Sequence, residues 1–149
     1  MAEMSTEENE KLVDEVYSQA MNRVHSGQSL EEPDRVVWEI EGLSQEVNSG
    51  ASYEQYFRWR PVSEIRTIVA RLHQAGLPEV AKLTQQAIEI AFPGGVPKTD
   101  EEKDGLTDWS ESQDSELQEL GDQFTEYNGR IMNVLAAGYR QARGDPDLK

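Results

Sequence analysis

Over most of the chain between Leu12 and Tyr139, apolar residues return every three or four positions, and nowhere do β-branched residues alternate with polar ones long enough to make a strand. That periodicity predicts an all-α fold. Leu12, Val16, Ala20 and Val24 form one row, Val13, Tyr17 and Met21 the next, and Gly27 ends the helix. Pro33 opens a second helix carrying Val36, Val37, Ile40, Leu43 and Val47, with Trp38 beside the stripe. Its Glu39, Glu41 and Glu46 fall off that stripe and are expected in solvent. Asn48-Ser49-Gly50 stops it.

The rest of the chain reads the same way. A short piece, Tyr53 to Trp59, ends at the Arg60-Pro61 step. Ser63 is placed to cap a helix whose Ile65, Ile68, Val69 and Leu72 face inward before Gly76. Pro78 starts another, and the Pro/Gly cluster from Phe92 to Pro97 ends it. Residues 98–114 are the most polar, with one helical turn near Thr99–Lys103. Leu117, Leu120, Phe124, Tyr127, Ile131, Leu135 and Tyr139 complete the pattern, and Asn128-Gly129 either splits or bends that last stretch. The expectation is a single domain over residues 1–142 with six or seven helices. Residues 1–5 read as a frayed start and 143–149 as a loose tail.

Charge narrows the function. The 149 residues hold 29 acids and 14 bases, a net charge of −15. Residues 1–57 carry 13 acids and 3 bases, residues 58–82 carry 2 and 5, and residues 83–149 carry 14 and 6. Such a surface repels nucleic acid and anionic lipid and attracts basic proteins. No run is long and apolar enough to span a bilayer, and the Met1–Ser5 start is not a signal peptide, so the expected location is cytoplasmic. With no cysteine, thiol catalysis and thiolate metal sites are excluded. His25 and His73 lack ligand partners at helical spacing, and no carboxylate stands alone in an apolar stretch that would raise its pKa. The chain therefore reads as a binding protein, not an enzyme, with no cofactor. The basic group Arg58, Arg60, Arg66 and Arg71 is read as pairing with the chain's own acids, within the molecule or across a homodimer contact.

One stretch has a metal-site register. Asp100, Glu102, Asp104, Asp108 and Glu111 stand at positions 1, 3, 5, 9 and 12 of a twelve-residue window with Gly105 at 6, the spacing of a calcium loop. Glu102 is long for its position, and no helix enters from Phe92–Pro97. A calcium-binding or regulatory domain centred here is the alternative reading.

The break between the acidic halves carries a resemblance. Glu46-Val47-Asn48-Ser49-Gly50 followed by Gln55-Tyr56-Phe57 resembles the motif of the DNA-mimic-protein-like family, Val-Asn-Asn-Gly-Gly, an aromatic, a spacer and Gln-aromatic-Phe. Ala75-Gly76, Phe92-Pro93, Pro97–Asp100 and Leu120 with Phe124 agree in order, so the likeness spans roughly residues 32–140. Here the loop is one residue longer, and Trp59 replaces a common Asn. The resemblance implies an all-α bacterial protein, and in one branch an acidic surface that imitates DNA and occupies a DNA-binding protein. The motif residues Asn48, Gly50, Tyr53, Gln55, Tyr56 and Phe57 are read as structural: a left-handed turn supplied by Asn and Gly, and aromatics anchoring it.

The expected partner is thus a basic or DNA-binding protein, with an immunity-type inhibitor of a basic toxin or nuclease served by the same acidity. The expected contact acids are Glu31, Glu32, Asp34, Glu39, Glu41 and Glu46, with Asp100, Glu101, Glu102, Asp104, Asp108, Glu111, Asp114 and Glu116, and position 118 closing the face.

Overall fold

In a computed structural model, residues 6–144 are described, and they form eight helices and no strand. These are α1 (Thr6–His25), α2 (Glu32–Gly50), α3 (Glu54–Trp59), α4 (Val62–Gln74), α5 (Pro78–Ala91), α6 (Asp100–Asp104), α7 (Glu111–Thr125) and α8 (Asn128–Arg143). The expected stops after α1 and α4 hold. Gly27 and Gly76 follow α1 and α4 with left-handed backbones, at φ 74° and 86°. The count exceeds expectation because the single turn at 100–104 is a helix in its own right and Asn128 starts a new one. The expected frayed start at 1–5 lies outside the described residues, as do 145–149 of the expected tail. Arg143, read as the start of that tail, is instead the last residue of α8.

α2 is the hub. It packs against α1, α3, α4, α7 and α8, while α5 bridges α4 and α7. Its Val37 to Ser44 are buried without a break, whereas a surface helix buries one stripe. The inference that residues off the stripe are solvated therefore fails for this helix: Glu39 and Glu41 are 4% and 3% exposed. Glu46 is half-buried.

The linking stretch is built as an anchor. Tyr53, Tyr56 and Phe57 are wholly buried, Tyr53 meets Phe124 edge-on, and Phe57 meets Phe92 the same way. The left-handed residue is Ala51, at φ 51°, and not Asn48 or Gly50 as expected. Gly50 stays helical, and the Ala51 amide bonds back to the Val47 carbonyl. Asn48 instead donates its side-chain amide to the Ser44 carbonyl at 2.8 Å. Ser52 restarts the chain by accepting from the Glu54 amide. Gly121 of α7 lies hard against this loop. A Cβ there would stand 2.6 Å from Ser52 Cα and 2.7 Å from the Ala51 carbonyl oxygen.

Candidate partner-binding surface

The two acidic segments have opposite fates. Around α2, nearly every carboxylate is met by one of the chain's own arginines. Asp34 is buried, with Arg23 and Arg143 each 3.3 Å from its Oδ2. Glu39 takes the Arg71 Nε at 2.8 Å and a hydroxyl from Thr67. Glu46 lies 3.6 Å from Arg60 Nε. Glu31 and Glu32 are exposed but engaged, the first by Arg143 at 3.1 Å and the second by Arg71 at 3.2 Å. Glu41 alone has no cation; its Oε2 accepts from Gln45 at 2.8 Å. These six acids were expected to project outward. Three are buried or half-buried in pairs, two are paired at the surface, and Glu41 is buried unpaired. The α2 half of the expected face is therefore largely neutralised from within.

Arg60 shows how the pairing is built. It is 8% exposed, and its guanidinium lies 4.5 Å over the Trp38 ring, which itself stacks on Tyr17. It donates to the Tyr17 hydroxyl at 2.6 Å and reaches Glu46 and Glu64 at 3.6 Å. Room for it exists because residue 42 is glycine; a Cβ at Gly42 would meet Arg60 Nη2 at 2.6 Å. Arg71 likewise pairs inside the molecule. Among the described residues, Arg58 and Arg66 form no ion pair with an acid; they donate to the Thr107 and Pro97 carbonyls.

The second segment is different. From Asp100 to Asp122 there are ten acids, and among the described residues none lies within ion-pairing distance of a lysine or arginine. Asp100, Glu101, Glu102, Asp104, Asp108, Glu111, Glu116, Glu119 and Asp122 are exposed, and Asp114 is half-buried. Position 118 is an amide, Gln118, so the charge at that end of the face comes from Glu119. Asp100 and Glu102 are partnered by neutral backbone. Asp100 Oδ1 accepts from the Val62 amide at 2.8 Å, capping α4 in place of the expected Ser63, and Glu102 accepts from the Lys98 amide. Like charges also meet. Glu54 is raised above the ordinary carboxylate range by burial first and by the neighbouring Asp114 second.

Two buried side chains hold this segment down and leave its acids facing out. Lys103 is 3% exposed and donates to the carbonyls of Phe57, Arg58 and Arg60 at 2.7, 3.0 and 2.8 Å. Those carbonyls close the C-terminal end of α3, where a helix leaves its acceptors unmet and favours a cation. Burial lowers the Lys103 pKa, and Asp100 and Asp104 push it back up. Six residues on, Trp109 is buried and donates its Nε1 to the Ala91 carbonyl at 3.1 Å. Ser110 then caps α7 reciprocally with Gln113. No spacing signal in the sequence marks a lysine that reaches three carbonyls at the end of another helix.

The calcium register does not become a site. Its first three acids are wound into α6, so they fan around a helix instead of closing on one point. Among the described residues, no three Asp, Glu or His side chains are grouped to hold a metal ion. No described helix is long and apolar enough to cross a membrane.

The described residues thus form an all-helical fold in which arginines pair with the acids around α2, while the acids from Asp100 to Asp122 have no such partners. A family model described as DMP19-like protein matches residues 28–143, and the chain belongs to that DNA-mimic family. No curated protein and no solved structure matches it.

Proposed function

We propose that this protein binds the DNA-contacting surface of a basic protein partner through the outward carboxylates of α6 and α7, imitating a phosphate backbone. The observation that carries the reading is the contrast in neutralisation: acids around α2 are met by internal arginines, while the ten from Asp100 to Asp122 have none. Acids left without internal cations keep their charge available to a partner. Neighbouring carboxylates on one helix face stand about 5–6 Å apart between Cβ atoms, comparable to the separation of charges along a nucleic-acid strand. Family membership supports the same reading. On this reading the protein is a binder rather than a catalyst.

The experiment is capture of the partner from host lysate at low salt, followed by competition of the purified complex with duplex DNA. Mimicry predicts that duplex displaces the protein, and that affinity falls steeply between 50 and 200 mM salt, by roughly 10³-fold for a contact of about six charges. A partner that holds DNA and this protein at once would defeat the proposal.

A further inference from the structure

Glu41 is the exception on α2, and it lines a cleft. The cleft, about 430 Å³, lies between α1, α2 and α8 and is bordered by Glu10, Glu41, Ser44, Gln45, Asn48 and Asn128, among others. Glu41 is 97% buried, being 3% exposed, and its Oε1 has no hydrogen-bond partner. An unmet buried carboxylate oxygen is costly, and a native structure retains one only for a reason.

The other polar groups of the cleft show what is missing. Its amides are engaged with one another: Gln45 donates to Glu41 Oε2 at 2.8 Å, and Asn48 and Asn128 exchange amide bonds at 3.1 and 3.0 Å. Asn48 also donates to Ser44 Oγ. Its charged groups are acceptors, the unmet Glu41 Oε1 and the exposed Glu10 carboxylate. No lysine or arginine lines it, so an anion would find no counter-charge. The carboxylates do not form a three-ligand metal cluster either.

We infer that this cleft binds a primary alkylammonium group, with Glu41 Oε1 and Glu10 as its charged acceptors. An ammonium brings three donors to a site whose two charged groups, when ionised, both accept. Every other buried acid on α2 has its cation built into the chain; here the cation comes from outside. The charged groups facing Glu41 agree. Its pKa is raised to about 7, chiefly by burial, with the Gln45 amide opposing and Asp14 and Glu10 on α1 adding smaller upward pushes. The α8 side supplies Asn128, Gly129 and Met132, none of them charged. An arriving ammonium therefore displaces a proton from Glu41, and binding releases protons near neutral pH. The inference stands apart from the α6–α7 surface, and either can fail alone.

The test is an NMR titration of the full-length protein at pH 7 with propylammonium chloride, against sodium chloride at equal ionic strength. The side-chain amide signals of Gln45, Asn48 and Asn128 should move saturably with propylammonium only. Glu41→Gln should weaken binding at least tenfold, Glu10→Gln about threefold, and Glu116→Gln, on the other acidic segment, should leave it unchanged. Calorimetry in two buffers of different ionisation heat should show proton release that disappears in Glu41→Gln. Parallel titrations with acetyl-lysine-methylamide and spermidine tell a protein lysine from a free polyamine by which saturates first. A linear response equal to that of sodium, or Glu41→Gln binding within tenfold of the parent, would overturn the inference.

Discussion

The Lys103 ammonium lies 2.7 Å from the Phe57 carbonyl oxygen, so the most acidic segment of the chain is fastened by its one internal cation turned inward. This bond joins α6 to the end of the aromatic stretch, and the nearby Arg58 and Arg60 carbonyls share the same ammonium. Lys103→Met keeps most of the buried stem but strands three carbonyls. It should cost about 2–4 kcal/mol in urea unfolding, by the usual cost of unmet buried acceptors once bonded to a charged group. A loss below about 0.5 kcal/mol would mean that the ammonium is not what holds α6 in place.

Arg60 is the matching device in the interior. Arg60→Ala leaves Glu46, Glu64 and the Tyr17 hydroxyl without their shared donor. Breaking a buried pair from one side costs about 3–5 kcal/mol. Chemical denaturation should show that loss, and Arg60→Lys should recover only part of it, since a single ammonium cannot span all three.

Stability should depend on pH through Glu41. Its folded pKa is about 7 against an ordinary 4.5, raised chiefly by burial, so the folded state holds a proton that the unfolded chain gives up. The resulting stabilisation is complete below pH 4.5 and is lost as pH rises through 7. The span corresponds to about 3 kcal/mol at most. Melting curves from pH 5 to 8 should show this decline superimposed on the behaviour of the other groups. In Glu41→Gln that component should be absent, and the variant should be the more stable protein at pH 8.

Gly121 tests the tight seam between α7 and the loop at Ser52. The atoms a methyl group would meet are backbone, which cannot swing aside. Gly121→Ala should therefore destabilise by about 1–3 kcal/mol, although alanine is the better helix former. An unchanged melting temperature would show that the seam opens freely.

Much of this was legible in the sequence, and the failures share one cause. Helical spacing, the glycine stops at 27 and 76 and the prolines at 33 and 78 locate the elements because each acts within a turn of itself. The burial of Glu39 and Glu41 was not legible, because an apolar stripe shows one buried face and is silent on whether the other faces meet water or the neighbouring α1, α4 and α8. The same limit hid Arg143, which reaches Glu31 and Asp34 across 112 and 109 residues of sequence. The left-handed Ala51 was missed for a local reason: Gly50 looked like the stop, yet the helix absorbed it. On the α6–α7 side, by contrast, solvation followed directly from a segment with few apolar residues to bury.

The account rests on which carboxylates are free to be recognised, and neutralising them by position tests it directly. Two variants remove equal numbers of acids: Asp104→Asn with Glu116→Gln on the unpaired segment, and Glu31→Gln with Glu32→Gln on the arginine-paired one. Affinity for the captured partner is measured for both at 100 mM salt. The prediction is that the first variant weakens binding at least tenfold while the second changes it less than threefold. Equal losses from both, or a larger loss from the second, would contradict the claim that α6 and α7 display the charge that a partner reads.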